Sequence, residues 1–143
     1  MTTLLMDVLM SYTMRWIYEH RIIYVRLYET LTTEELALYG KDLAALLNAA
    51  PEPPVHILLD DTDLKQFPRH VTDFRPIMGL MRHPKIGWLV AYGNPNPLAH
   101  YVSQIVSKVA RLRYKRVDSK REALKFLAHI TNLDYTTLMS AAR

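Results

Sequence analysis

The first part of the chain alternates between apolar and polar residues, and the later part repeats apolar residues at helical spacing. Two stretches between residues 12 and 29 alternate with a period of two, on either side of the polar break Glu19–Arg21. Such alternation, with many aromatic and β-branched residues, is typical of an antiparallel hairpin. One face of this hairpin is aliphatic, and the other is rich in Tyr and Arg. We expect helices on the aliphatic face, and the N-terminal residues or a partner chain on the aromatic face.

Helices and strands are predicted to alternate after the hairpin. Apolar stripes at spacings of three and four residues indicate amphipathic helices, and each follows a residue that can cap a helix start. The predicted caps are Thr32, Thr72, Asn96 and either Asp118 or Ser119. Shorter apolar or basic segments between them predict strands at residues 55–59, 85–92 and 113–117.

This order of elements, ββαβαβαβα, predicts a single α/β layered domain. We expect a mixed central sheet of about five strands, with the initial hairpin antiparallel and the strands joined through helices parallel. About four helices should pack on it. The 143 residues suit one domain. We assign residues 12–130 to it, residues 1–11 to an N-terminal extension that forms a short helix or a strand, and residues 131–143 to a C-terminal helical tail.

A polar segment, predicted as a loop over residues 60–70, follows the central strand. The next strand is followed by Gly93 and by a helix start, where free amides and the helix dipole favour an anion. We therefore consider a ligand or anion site at the carboxyl edge of the sheet, although turn and cap chemistry explains the same residue types. The candidate ligand-binding residues are Asp60, Asp61, Thr62, Asp63, Arg69, His70, Gly93, Asn94, Asn96 and His100.

Several classes of chemistry lack their sequence signature. The acids after residue 59 are without the Gly and the distal Glu of a calcium loop, and no Gly-x-Ser-x-Gly elbow is present. The absence of cysteine excludes disulfides, thiolate zinc sites and a thiol nucleophile. His56 fits a structural strand histidine better than a ligand. We predict no metal, no cofactor and no enzymatic activity.

The net charge of +4 is concentrated near the C-terminal end. Eight basic and two acidic residues lie between Lys108 and Lys125, so this segment is +6 and the remainder is −2. A solvated surface explains such a run. Nucleic-acid binding ranks last among the functions considered, because aromatic residues interleaved with the basic ones are limited to Tyr114. No apolar run reaches the roughly 20 residues of a membrane span, and the N-terminus lacks a basic leader region. We predict a cytoplasmic protein.

Three motifs resemble those of a known family. They are Asp-x-Thr-x-Leu-x-x-Phe at residues 60–67, a strand ending in Tyr92-Gly93, and Glu-Ala-Leu-x-Phe-Leu at residues 122–127. With the order of elements, they resemble the STAS domain, the fold of bacterial anti-sigma-factor antagonists, and still more its STAS-like relatives of unassigned function. The resemblance covers residues 12–130.

The resemblance implies a phosphorylation-controlled protein interaction. Antagonists of this family place an acceptor serine just before the second helix, where this chain has Arg69 and His70, and the nearest hydroxyls are those of Thr62 and Thr72. We therefore predict a non-enzymatic regulatory or protein-interaction module without the usual acceptor serine. The alternative is a domain that binds a small ligand or anion, such as a nucleotide or lipid, at the carboxyl edge.

A protein partner, most simply a second copy of the chain, follows from this interpretation. The Tyr-rich face of the hairpin and the apolar N-terminus are the candidate dimer interface. Its predicted residues are Tyr12, Trp16, Tyr18, Tyr24 and Tyr28.

Overall fold

The computed structural model describes residues 11–143, and the N-terminal helix or strand considered above lies outside the described residues. The strands are β1 (Tyr12–Tyr18), β2 (Ile22–Thr30), β3 (Val55–Gln66), β4 (Ile86–Tyr92) and β5 (Arg113–Val117). The α-helices are α1 (Thr33–Ala49), α2 (Arg75–Met81), α3 (Pro97–Val109), α4 (Lys120–Thr131) and α5 (Tyr135–Ala141), and a 3-10 turn at Val71–Phe74 precedes α2.

The five strands form one mixed sheet in the order β1-β2-β3-β4-β5. The β1–β2 hairpin is antiparallel, and β2 to β5 run parallel. This confirms the predicted fold class. The structure differs in having a fifth helix within the described residues. This α5 forms from the weakly helical tail because Asp134 caps it, with the Thr137 amide donating to the Asp134 carboxylate at 3.0 Å, and because Leu138 is fully buried.

Helices cover both faces of the sheet. On one face, Leu36, Leu43 and Leu47 of α1 pack with α2 and α3 against β2, β3 and β4. On the other face, α4 and α5 bury Leu124 and Leu138 against Tyr24, Leu58 and Val90. Burying one large aliphatic side chain contributes about 1.5–3 kcal/mol, so the two clusters are the main source of stability.

Three of the four predicted helix starts are present and capped. The predicted cap Thr72 is wrong, because Thr72 lies inside the 3-10 turn and α2 begins after Phe74 without a side-chain capping bond. Thr32 accepts a hydrogen bond from the Glu35 amide at 3.2 Å, and Asn96 accepts one from the Leu98 amide at 2.9 Å. At α4 the cap is Ser119, which accepts from the Glu122 amide at 3.2 Å. No described helix is long and apolar enough to cross a membrane.

The predicted loop after residue 59 is wrong over its first half. Strand β3 continues for twelve residues to Gln66, because β2 is long enough to pair with it beyond Asp60: Tyr28 lies opposite Asp63, and Thr30 lies opposite Gln66. Shifts in register accompany this extension. The acids therefore project from a strand, on alternating sides, and not from a flexible loop.

The predicted aromatic interface is corrected at two positions. Tyr12 is 3% exposed on the α1 side, where its hydroxyl donates to Asp42 at 2.6 Å, whereas Tyr24 is 4% exposed on the opposite side, under α4 and α5. Both tyrosines are buried inside the chain because the helices cover both sides of the hairpin. Trp16 and Tyr28 are half-buried, and Tyr18 is exposed.

Candidate functional site

Two consecutive buried carboxylates lie near the carboxyl edge of the sheet. Asp60 is 8% exposed and Asp61 is 3% exposed. Successive side chains of a strand point to opposite faces, so the two acids enter different layers of the protein. Each one requires its own partners, because a buried charge without compensation is strongly unfavourable.

Asp61 is paired with an arginine from the edge strand β5. The Arg116 guanidinium donates two hydrogen bonds to the carboxylate, at 3.1 and 2.7 Å, and the Asn94 amide donates a third at 3.1 Å. Arg116 also donates to the Tyr114 hydroxyl at 2.8 Å and contacts Ser103 at 3.3 Å. The ion pair raises the already high pKa of Arg116 further despite its burial. Asp61 is thus fully engaged in joining β3, β5 and the β4–α3 connection.

The β4–α3 connection folds back onto this pair. The Asn94 side chain donates to the Leu64 carbonyl at 3.0 Å, and its own side-chain oxygen accepts from the Asn96 amide at 2.8 Å. The His100 ring contacts the Asn94 carbonyl. The structure therefore brings the candidate residues Asp61, Asn94, Asn96 and His100 together, and their polar groups are used in bonds within the chain.

Gly93 allows this close approach. Its φ of +107° lies in a region that side chains rarely adopt, and an added Cβ would lie 1.9 Å from the Thr62 hydroxyl oxygen. Thr62 in turn donates its hydroxyl and its amide to the Asp60 carboxylate, at 2.5 and 2.9 Å. The loop and the end of β3 are consequently packed with no room for a ligand between these two residues.

Asp60 lies within a layer of tyrosine hydroxyls. Tyr92 donates to its second oxygen at 3.1 Å, the Tyr24 hydroxyl lies 3.4 Å away, and the two tyrosine hydroxyls bond to each other at 2.7 Å. Burial is the main cause that raises the pKa of both tyrosines, so both stay protonated. Arg26 adds a partly exposed ion pair at 3.5 Å.

Two more cations surround the Tyr24 ring. The Arg15 guanidinium and the Lys120 ammonium lie 5.4 and 5.2 Å from its centroid. Arg15 donates to the carbonyls of Ala141 and Arg143, both at 2.8 Å, and Lys120 donates to that of Ala142. Burial lowers the pKa of Lys120. The last three residues of the chain are therefore bonded to the two cations that lie beside Tyr24.

Sequence reasoning missed Arg26, Tyr92 and Arg116 as partners of the two acids, and it missed Arg15 and Lys120 as cations beside Tyr24. The fold brings these five residues together from five separate elements. The one sequence signal for these partners was the alternation in the hairpin, which places basic residues among the tyrosines. In the structure, Arg15 lies opposite Tyr24. A charged residue at an inward position of a strand indicates a buried or half-buried partner.

Three of the predicted site residues lie apart from these networks. Asp63 is exposed and approaches only Arg26, at 3.9 Å. Arg69 and His70 are exposed before the 3-10 turn, where the His70 amide donates to Asp73 at 3.3 Å. Within residues 11–143, no three acidic or histidine side chains converge as a metal ion would require.

An apolar cavity of about 110 Å³ lies between the sheet and helices α1, α2 and α3. Its walls are almost wholly aliphatic and aromatic, and its polar lining comes from Asp61, Ser103 and Ser107. Ser107 is 1% exposed, and its hydroxyl has no hydrogen-bond partner among the described residues. An unsatisfied buried hydroxyl beside a void is unusual, because most buried polar groups are paired.

Comparison with known proteins gives matches in structure alone. No family model matches the chain, and no curated protein matches it. It is similar to an uncharacterized protein of the DUF3478 family, with a SpoIIAA-like fold, from Shewanella loihica: 18% identity, 81% of this chain, 91% of that chain, TM-score 0.59. It is also similar to the unphosphorylated anti-sigma factor antagonist SpoIIAA: 14% identity, 86% of this chain, 98% of that chain, TM-score 0.58. The chain therefore has the predicted STAS-like, SpoIIAA-like fold.

Proposed function

We propose that the protein is a non-enzymatic regulatory module that binds a protein partner. The observation that carries this proposal is the exposed connection between β3 and α2. It presents Arg69, His70 and Thr72 to solvent, together with Arg75 at the start of α2, beside an edge whose buried acids are already bonded within the chain. The SpoIIAA-like fold supports the same function, since one protein of this fold is an anti-sigma factor antagonist.

The charge of this connection favours an acidic partner. Its one acid, Asp73, is half-buried and accepts a hydrogen bond from the His70 amide, whereas Arg69 and Arg75 are exposed. Guanidinium groups recognise carboxylates through two parallel hydrogen bonds. An acidic protein segment is therefore the partner that this surface suits best.

Regulation by phosphorylation would involve Thr72 rather than Thr62. The Thr62 hydroxyl donates to Asp60 and packs against Gly93, so a phosphate there would disrupt the edge. Thr72 is exposed in the 3-10 turn, between Arg69 and Arg75. A phosphate on Thr72 would neutralise this basic surface and weaken its attraction for an acidic partner.

Charge reversal tests the partner surface. Arg69→Glu with Arg75→Glu should abolish co-purification of a partner that wild type retains, and Thr72→Glu should weaken it. Arg121→Glu with Lys125→Glu, two exposed positions of α4, provides a matched control that should retain the partner. Equal retention by the first double variant, or equal loss with the control, would remove this proposal.

A second copy of the chain is a further partner that we propose. Strand β1 lies at one edge of the sheet and carries the exposed Tyr18 and the half-buried Trp16. Among residues 11–143, β2 is the one strand that pairs with β1, and an edge strand of this kind can pair with the same strand of another copy. Light scattering of the full chain should show a dimer that Tyr18→Lys converts to a monomer, and a monomer at every concentration would contradict it. The cytoplasmic location stays a prediction from the sequence.

Binding of a small apolar molecule is the second candidate function, and the cavity under α1, α2 and α3 favours it. An engineered apolar cavity of about 150 Å³ is known to bind benzene, so about 110 Å³ suits a molecule near that size. Toluene should raise the melting temperature of wild type, and Val102→Phe should remove the effect by filling the cavity. Leu38→Phe, on the exposed face of α1, is the control. No shift with wild type would exclude this function.

A further inference from the structure

A groove lies at the amino edge of the sheet, opposite the carboxyl edge where an anion site was predicted. Its volume is about 370 Å³, and it lies between the turn before β4 and the turn before β5. It is lined by residues of two segments, 81–87 and 110–113. Its volume falls within the range of roughly 300–1,000 Å³ that is typical of small-molecule sites.

The polar side chains of the groove are basic. Arg82, Arg111 and Arg113 are all exposed, and His83 stands beside Arg82. None of the described acidic residues lines the groove. Three arginines lining one concave surface, with no acidic residue in the lining, create a positive local potential.

The walls of the groove are held in place by backbone hydrogen bonds. On one side, the Ile86 amide donates to the His83 carbonyl at 3.0 Å, and the Lys85 amide donates to the His83 ring at 3.1 Å. Across the groove, the Leu112 amide donates to the Ser107 carbonyl at 2.9 Å. Arg82 joins the two sides by donating to the Val109 carbonyl at 3.3 Å. The groove is therefore formed before any ligand binds.

Arg111 occupies a backbone position that favours glycine. Its φ is +58°, directly after the C-terminal cap of α3, where a left-handed residue normally ends a helix. A side chain in this conformation is strained, and such strain is found repeatedly at functional sites. Arg111 is one of the residues that line the groove.

We propose that the groove binds a small phosphorylated molecule that also carries an apolar group. The three arginines would hold the phosphate, since the guanidinium fork matches its geometry. Met81, Ile86 and Leu112 provide an apolar floor for the rest of the molecule. This site is separate from the partner surface, and it shares Met81, Ile86 and Leu112 with the wall of the apolar cavity.

Calorimetric titration of the full chain at constant ionic strength tests the proposal. Phenyl phosphate should bind saturably and inorganic phosphate more weakly. p-Cresol, which has the ring without the phosphate, should not bind measurably to the Val102→Phe variant, in which the apolar cavity is filled. Arg82→Gln with Arg113→Gln should weaken the binding of phenyl phosphate by about tenfold or more. Arg121→Gln with Lys125→Gln removes the same charge from exposed positions of α4 and should leave it unchanged.

Arg111→Gly separates a binding role from a structural one. It should raise the melting temperature by a few degrees, because the left-handed strain is relieved, and yet weaken phenyl phosphate binding. Asn132→Gly also replaces a left-handed residue by glycine, at the end of α4 where φ is +60°. It should leave the binding of phenyl phosphate unchanged.

Three results would overturn the proposal. The first is no binding of phenyl phosphate by wild type. The second is an equal loss in the groove and control double variants, which would indicate a general charge effect. The third is binding of a single-stranded oligonucleotide without binding of phenyl phosphate, since the groove would then be part of a longer basic surface.

Discussion

Asp61 and Arg116 form a two-point ion pair in the interior of the protein, at 2.7 and 3.1 Å, with 4% and 14% of their side chains exposed. The pair joins the central strand to the edge strand β5, which makes few other buried contacts because its side chains are half-buried or exposed. A buried pair of this kind is tightly coupled: either residue alone would be an uncompensated charge.

Arg116→Met should therefore destabilise the protein by about 3–5 kcal/mol, because it leaves the Asp61 carboxylate buried without its partner. The double variant Asp61→Leu with Arg116→Met should recover most of that loss. Urea unfolding followed by circular dichroism measures both. Lys65→Met is the control, since its ion pair with Glu29 at 3.6 Å is exposed and contributes about 0–1 kcal/mol. Equal effects of the two single variants would contradict the buried-pair interpretation.

Gly93→Ala should destabilise the protein by roughly 2 kcal/mol or more, since the new Cβ meets the Thr62 hydroxyl in a backbone conformation that alanine disfavours. Gly79→Ala is a matched control, and its effect on stability should be opposite. It lies in α2 with nothing within 4 Å of the added atom and should stabilise by about 0.5–1 kcal/mol. Denaturant midpoints compare the two, and a tolerated Gly93→Ala would show that the edge can rearrange.

His56 should make the stability fall as the pH is lowered from 6.5 to 4. Burial lowers its pKa from 6.5 to about 4, and its Nδ1 accepts the Trp88 amide proton at 2.9 Å, which requires the neutral ring. The unfolded chain therefore takes up a proton in this range before the folded chain does. The stabilisation is complete above pH 6.5 and decreases toward pH 4, by roughly 3 kcal/mol at most.

Urea unfolding between pH 8 and pH 4 measures this dependence. His56→Gln should reduce the slope below pH 6.5, because the titrating ring is gone. His129→Gln is the control, since His129 is exposed on α4 and should leave the slope unchanged. An identical slope in wild type and His56→Gln would show that the ring does not remain neutral.

Ser107→Ala and Ser103→Ala should change stability in opposite directions. The Ser107 hydroxyl is buried without a partner among residues 11–143, so its removal should stabilise by about 1 kcal/mol. The Ser103 hydroxyl donates to the Ala99 carbonyl at 2.9 Å and bonds to Tyr114 at 2.8 Å, so its loss should destabilise by a similar amount. Calorimetric melting measures both, and a destabilising Ser107→Ala would mean that its hydroxyl is satisfied in solution.

Several features of the fold were predictable from local patterns. Alternation at residues 12–29 predicted the hairpin, and helical spacing after Thr32, Asn96 and Ser119 predicted three of the helices with their caps. These signals are local, because the period of the backbone and the capping bonds involve residues a few positions apart. The number of helices was less predictable, since α5 depends on burying Leu138 in the core.

The candidate site was only partly predictable. The residues around Asp61 and Asn94 were identified because strand ends and helix starts meet at one edge of a parallel sheet. Their chemistry was not, since the partner Arg116 lies 55 positions from Asp61. The site prediction assumed acids on an open loop, and the structure shows them paired on a long strand. The basic groove at the opposite edge lay within the charged segment but had no local signal of concavity.

The sequence by itself determined the order of the elements, the hairpin, the principal helix caps and the α/β class, because these follow from hydrogen bonds and hydrophobic periods between near neighbours. Only the tertiary structure decided that β3 continues to Gln66, that Asp60 and Asp61 are neutralised on opposite faces, and that Arg82, Arg111 and Arg113 surround one groove. These outcomes depend on which strands pair and which helices cover them. The sequence gives the charge of a residue, but contacts between distant segments determine its exposure and its partner.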